Sequence, residues 1–199
     1  YAEDYSVITM QKSSFTGNDA IGKGGAVYVG AYAIAQIIDT NFVGNTANEG
    51  GAIYADENST VNILAKSKNV IVKDNTANGE SNSIHLNNAT LNLQAAKKRK
   101  ITINDKISGT GTITTSGKVY IANGTELEAG SDITLSAGSG KLVIQNEQSL
   151  YNANLELKNS HLSTANGKIG TLSLGSLVLN SSNKVAIDID LKSATSDNI

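Results

Sequence analysis

The sequence predicts an all-β fold, a right-handed single-stranded parallel β-helix of roughly eight coils, and three observations carry that expectation. One block of residues recurs near the start of the chain. Apolar and polar residues alternate in short β-branched runs, and Gly, Asn and Asp separate many of those runs.

The repeat is the strongest of the three. Phe15-Thr16-Gly17-Asn18 precedes Gly24-Gly25-Ala26-Val27-Tyr28, and Phe42-Val43-Gly44-Asn45 precedes Gly50-Gly51-Ala52-Ile53-Tyr54. The phenylalanines lie 27 residues apart and the glycine pairs 26. A worn third copy follows in Val72-Lys73-Asp74-Asn75-Thr76-Ala77-Asn78, where Ser81-Asn82-Ser83-Ile84-His85 replaces the glycine block. His85 thereby falls in the register of Tyr54. Thr90-Leu91-Asn92-Leu93 echoes Thr60-Val61-Asn62-Ile63 at a spacing of 30.

Val7-Ile8, Ala33 to Ile38, Val61 to Ile63 and Val70 to Val72 read as short strands. The second half has the same texture without a clear repeat. Val119 to Ile121, Ile133 to Leu135, Leu142 to Ile144, Leu155 to Leu157, Leu172 to Leu174 and Leu177 to Leu179 all read in–out–in. Gly109, Gly111, Gly117, Asn123-Gly124, Gly138 and Gly140 are expected to turn the chain between several of them. Val185, Ile187, Ile189 and Leu191 are expected to form one long alternating strand, with Asp188 and Asp190 on its wet face.

A period near 26 with two or three strands per copy suits one coil of a β-helix, each strand pairing ~4.8 Å from its equivalents above and below. Helical repeats need a 3.6-residue pattern that no copy shows. A leucine-rich repeat needs leucine in every copy, and residues 1–60 contain none. An antiparallel sandwich predicts tight hairpins and no register between copies. The expected organisation is a single solenoid over 1–199, with repeat coils over 1–93 and plainer coils over 94–199.

Composition agrees. The chain has 199 residues, 19 Gly, no Pro, no Cys and a net charge of −2, with 39% hydrophobic residues. That is thin for a globule, adequate for a solenoid core and too well patterned for disorder. Without cysteine, stability must come from stacking and hydrogen bonds. The near-neutral charge gives no electrostatic case for nucleic acid, and no run reaches the ~18 apolar residues of a membrane helix. No signal-peptide pattern begins at Tyr1, so an exported protein would be represented here by a mature fragment.

Candidate motif residues are Phe15, Asn18, Gly24, Gly25, Ala26, Phe42, Asn45, Gly50, Gly51 and Ala52. Stacked coils turn the phenylalanines into an aromatic ladder and Asn18, Asn45 and Asn75 into an amide ladder, while the glycines serve a turn. The alternative role for these positions is adhesion. Lys97-Lys98-Arg99-Lys100 is the sole charge block, read first as a solvated turn and second as a heparin- or nucleic-acid-type patch. Catalytic sets are thin: His85 and His161 are isolated, Arg99 is the single arginine, and Asp56-Glu57 form no carboxylate cage. Thr110, Thr112 and Thr114 form one Thr-x-Thr-x-Thr run, where an ice-binding plane would need it in every coil. No enzyme activity, metal or cofactor is expected.

The Phe-x-x-Asn tetrapeptide followed by Gly-Gly-Ala-(Ile/Val)-Tyr, over residues 8 to 93, resembles the repeat of the polymorphic outer-membrane protein family of autotransporters. Ile107 to Ile113, Ser116 to Ile121 and the ending Ser196-Asp197-Asn198-Ile199 are similar to autotransporter passenger sequence. The resemblance implies export through a C-terminal translocator barrel, display on the bacterial surface or release from it, and adhesion to a host-cell or matrix protein or glycan. It supplies no catalytic residue. A β-helix polysaccharide lyase or hydrolase, and a phage tail-spike or S-layer-associated fibre, are the alternatives on this fold.

Overall fold

The computed structural model describes residues 1–121, 125–127, 132–135, 141–144, 154–158, 160–164, 167–169, 171, 173–180, 182–187, 189–190 and 195–196. Asn123-Gly124, Gly138, Gly140, Leu172, Asp188, Leu191 and Asp197 to Ile199 lie outside the described residues. The described residues contain strands and no helix, wound as a parallel β-solenoid.

Two long sheets run the length of the solenoid. In the first, Val7–Gln11, Ile34–Ile38, Thr60–Ala65, Ile84–Ala95, Ile107–Ser116, Asp132–Leu135, Asn154–Lys158 and Ser176–Asn180 pair in that order. In the second the order is Ser14–Thr16, Asn41–Val43, Val70–Lys73, Lys100–Ile103, Lys118–Ile121, Lys141–Ile144, His161–Ser163 and Lys184–Ala186. A strand preceding each early coil of the first sheet, Val27–Val29 then Ile53–Ala55, stacks onto Ile84–Leu86. The uninterrupted stretch 1–121 makes about five turns, against the roughly eight coils expected for the whole chain.

The period is not constant. Val7, Ile34, Thr60 and Thr90 are partners at steps of 27, 26 and 30 residues. Thr112, Asp132, Asn154 and Ser176 then follow at steps of 22, 20, 22 and 22. The shortening has a local cause. Residues 17–26, 44–52 and 74–83 link the second sheet to the next strand in the early coils, whereas residues 104–106 suffice after Ile103.

Inward side chains stack coil on coil. Ala35, Val61, Leu91 and Ile113 form one buried column, and Ile37, Ile63 and Leu93 another. Burying such a side chain contributes roughly 1.5–3 kcal/mol, so a narrow interior still holds a long solenoid. Corners repeat as well as strands. Lys12 and Asp39 both turn one corner with positive φ, at 51° each, and Gly17, Gly44 and Asp74 turn the next at 63°, 65° and 58°.

Three details depart from the sequence reading. Gly109 and Gly111 lie inside the continuous strand Ile107–Ser116, not between strands. There a Cβ would meet the carbonyls of Leu86 at 1.9 Å and Ala89 at 2.1 Å, so glycine lets this coil seat against the one before it. Ser173 and Leu174 are not in a strand. The run from Val185 is broken: Lys184–Ala186 completes the second sheet, and Ile189–Asp190 pairs antiparallel with Thr195–Ser196. No further parallel partner exists for that segment among the described residues, so the chain pairs with itself.

Candidate interaction surface

The motif residues converge on one segment of the early coils. Phe15 and Phe42 stack with ring centroids 5.3 Å apart and planes 6° from parallel, and Phe42 is fully buried. Val72 takes the next place in this column, so the aromatic ladder has two rungs and an aliphatic third.

Three residues on from each of these, the amides form a chain. Asn18 donates through Nδ2 to Oδ1 of Asn45 at 2.7 Å, and Asn45 donates to Asn75 at 2.8 Å. Asn75 donates to Oδ2 of Asp105 at 2.9 Å. Each acceptor oxygen also takes the backbone N–H of the donating residue. A buried amide leaves a donor to satisfy at every step. Asp105 accepts on both oxygens and passes nothing on, since Oδ1 takes the N–H of Asp74 at 2.9 Å. It ends the ladder. Burial pushes the Asp105 carboxyl above the ordinary carboxylate range, partly offset by the bonds from Asn75. Asp105 escaped the sequence reading because it follows Ile103 by two residues, where Asn75 follows Val72 by three.

The glycine pairs occupy the turn that follows. Gly24 and Gly50 have φ of 66° and 58°, and a Cβ on Gly25 would lie 2.1 Å from the carbonyl of Gly51. Ala26 and Ala52 continue the ladder, with Ala26 N–H donating to Ala52 and Ala52 N–H to Ser83, each at 2.9 Å. The third copy lacks the glycine pair, and its chain takes another path: Thr76–Ala77 turns back through Asn78 and Gly79 to pair antiparallel with Glu80–Ser81.

The next strand carries aromatics outward. Tyr1, Tyr28, Tyr54 and His85 form a continuous stack with centroids 5.0 to 5.5 Å apart. Lys23 covers Tyr54, donating to its hydroxyl at 2.7 Å while pairing with Glu49 at 3.3 Å, which leaves Tyr54 only 1% exposed. The hydroxyl of Tyr54, with Glu49, raises the Lys23 pKa. Tyr28 donates to Asp56, which also accepts from Asn87 at 2.8 Å. That hydrogen bond raises the Tyr28 pKa strongly. Burial works against ionised Asp56, but the bonds from Tyr28 and Asn87 outweigh it and lower its pKa. At the adjoining corner Tyr5 and Tyr32 stack at 5.0 Å and are 76% and 50% exposed.

Two stretches match the Chlamydia polymorphic membrane protein repeat, residues 12–30 and 39–56. These two coils are therefore similar to polymorphic membrane protein repeats. Each match opens on the left-handed corner residue, Lys12 or Asp39, and ends just past Val29 or Ala55. Each therefore spans one phenylalanine rung, one asparagine rung, one glycine turn and one tyrosine rung. The chain is also similar to "Probable outer membrane protein PmpG" of Chlamydia muridarum (strain MoPn / Nigg), 38% identical over 61 residues. That match covers 31% of this chain and 6% of the relative's length. No solved structure matches the chain.

The structure brings the motif residues together as the interior of the repeat. Phe42, Asn45, Gly50, Gly51 and Ala52 are buried, while Phe15, Gly25 and Ala26 are half-buried and Asn18 is exposed at the first rung. The basic run lies elsewhere, at the corner joining the first sheet to the second, where Lys98 has a φ of 68°. Thr114 faces outward and donates to Asn92, which in turn donates to Asn62 at 2.8 Å. Among the described residues, no three His, Asp or Glu side chains form a metal-ligand set, and no helix is long and apolar enough to cross a membrane.

Proposed function

We propose that the chain is part of a surface-exposed autotransporter passenger that acts as an adhesin or display stalk and binds without catalysis. The observation carrying this reading is that each match to the polymorphic membrane protein repeat covers the same part of successive coils, from the corner at Lys12 or Asp39 to just past Val29 or Ala55. A stack of such units makes a stiff rod with long outward faces, suited to contact at a distance from the cell. The matched relative is described as an outer membrane protein, which supports a place at the outer membrane or cell surface. In the full-length protein a C-terminal translocator barrel follows.

The motif side chains serve adhesion indirectly, by fixing the corners that present Tyr5, Tyr32 and their neighbours. The ligand is a host-cell or matrix protein or glycan. Asp39, Asp56 and Asp105 spend oxygens on backbone and neighbouring side chains, which suits a structural role for these carboxylates.

Two measurements test the reading. Antibody against this segment should label intact bacteria producing the full-length protein, and labelling only after permeabilisation overturns surface display. Beads coated with the purified chain should adhere to epithelial cells above uncoated beads. Equal adhesion removes the adhesin role and leaves the stalk.

A further inference from the structure

The register of the second sheet places basic residues from five successive coils on one line. Lys100 pairs with Lys118, Lys118 with Lys141, Lys141 with His161 and His161 with Lys184. With strands ~4.8 Å apart, the column is ~19 Å long. Lys100, Lys118 and Lys184 are exposed and His161 is half-buried. At its upper end, Asn69, Lys97, Lys98, Arg99, Lys100 and Lys118 line a cleft of about 640 Å³.

Strand pairing does not call for cations on this column. Like charges on facing positions repel and weaken a sheet. Lysine protects exposed edges, but Lys118, Lys141 and His161 lie on interior strands already paired on both sides. Lys23, Lys73 and Lys158 are held in ion pairs, whereas no ion pair among the described residues reaches Lys100, Lys118 or Lys184. Charge is also unevenly divided along the chain. Residues 1–95 hold nine acidic and five basic side chains, and residues 96–199 hold nine and eleven.

We propose that this column and its cleft form a binding site for a linear sulfated polysaccharide. The proposal names a ligand class for the adhesin reading and rests on the surface exposure stated there. A row of lysines in register, Lys100, Lys118, Lys141 and Lys184 with His161 between the last two, complements a stiff chain carrying anionic groups along its length. Lysine suits it, because an ammonium neutralises a sulfate without the bidentate geometry that arginine imposes. Single-stranded nucleic acid would want open aromatic platforms. The ring in reach is Tyr120, and Lys100 and Lys118 already lean over it at 5.6 and 5.2 Å.

The test uses the purified 199-residue chain and a heparin decasaccharide in isothermal titration, repeated across a salt series. Wild type should bind, with affinity falling as salt rises. The double variant Lys100→Glu/Lys118→Glu should lose affinity by about tenfold or more, and a Lys100→Gln/Lys118→Gln pair should lose less and flatten the salt dependence. Lys12→Glu/Lys73→Glu, matched in charge but in the early coils, should bind as wild type does. Unchanged thermal melts by circular dichroism establish that the variants are folded. Equal binding by wild type and the Lys100/Lys118 variants overturns the proposal, as does equal binding of desulfated heparin. Tighter binding of an oligothymidylate of matched charge, lost in the same variants, overturns it in favour of nucleic acid. Surface labelling is independent of all these readouts, so failure of the site and failure of surface display are told apart.

Discussion

The coils before Ala95 and those after Ile103 continue the same two parallel sheets with different reinforcement. The early coils carry a second system beside the aliphatic core: a stacked phenylalanine pair in the second sheet, a buried amide chain in the segment that leaves it, and a tyrosine column on the strand that follows. After Ile103 that segment shrinks to residues 104–106, and the reinforcement ends with it at Asp105. The late coils keep Ile107, Ile113, Val119 and Ile121 buried and rely on them. The difference teaches what a sequence repeat records. Side chains that must meet their own kind in the next coil are held to one identity and one spacing. Aliphatic positions accept Val, Ile or Leu alike.

The sharpest way to break the comparison is to truncate the aromatic rung. Phe42→Ala should destabilise the chain by about 3–5 kcal/mol, read from urea denaturation. A loss no larger than that of Ile113→Val, about 0.5–1.5 kcal/mol, would erase the distinction between early and late coils. Next comes the amide chain. Asn75→Ala strands the backbone and side-chain donors that Asn45 directs at Asn75 and removes one of the bonds to Asp105, costing about 2–4 kcal/mol. Amide hydrogen exchange should accelerate first at Asn45, whose N–H loses its acceptor, and uniform acceleration along the chain would contradict a local ladder. Gly51→Ala should cost about 1–3 kcal/mol, because its Cβ would lie 2.4 Å from the carbonyl of Thr76. A thermal melt unchanged by that substitution would show the turn to be looser than the stacking requires.

The smallest effect separates two carboxylates by sign. Burial would raise the Asp39 pKa, but the Ser67 hydroxyl and the backbone N–H groups of Lys66, Ser67 and Lys68 lower it to about 2. Its stabilisation is present above pH ~4 and fades as pH falls toward about 2. Asp105 is raised, so its folded form holds a proton more tightly. Its contribution is fullest below the ordinary carboxylate pKa and is lost as pH rises through the raised value. Urea midpoints against pH should therefore tilt in opposite directions for Asp39→Asn and Asp105→Asn, by on the order of 1 kcal/mol for Asp39→Asn. Tilts of the same sign would refute the assignment.

Much of the early half was legible. Phe15 over Phe42, the run Asn18–Asn45–Asn75 and His85 beneath Tyr54 follow from spacing alone, because identical side chains at one period must stack when coils do. Asp105 was hidden by a one-residue slip and by its different chemistry. The turn assigned to Gly109 and Gly111 failed because glycine serves a close approach of two coils as well as a bend. The basic column was not legible at all. Lys100, Lys118, Lys141, His161 and Lys184 stand 18, 23, 20 and 23 residues apart, a series without a period until the strands are paired.

The sequence by itself determined the solenoid, since alternation and a recurring block specify strands that can pair only with their copies. The tertiary structure decided where each coil shortens, which carboxylate ends the amide chain and which cations share a line. Those depend on corner lengths, and a corner that loses a few residues shifts every later spacing without disturbing the ladder of backbone hydrogen bonds that sets the register.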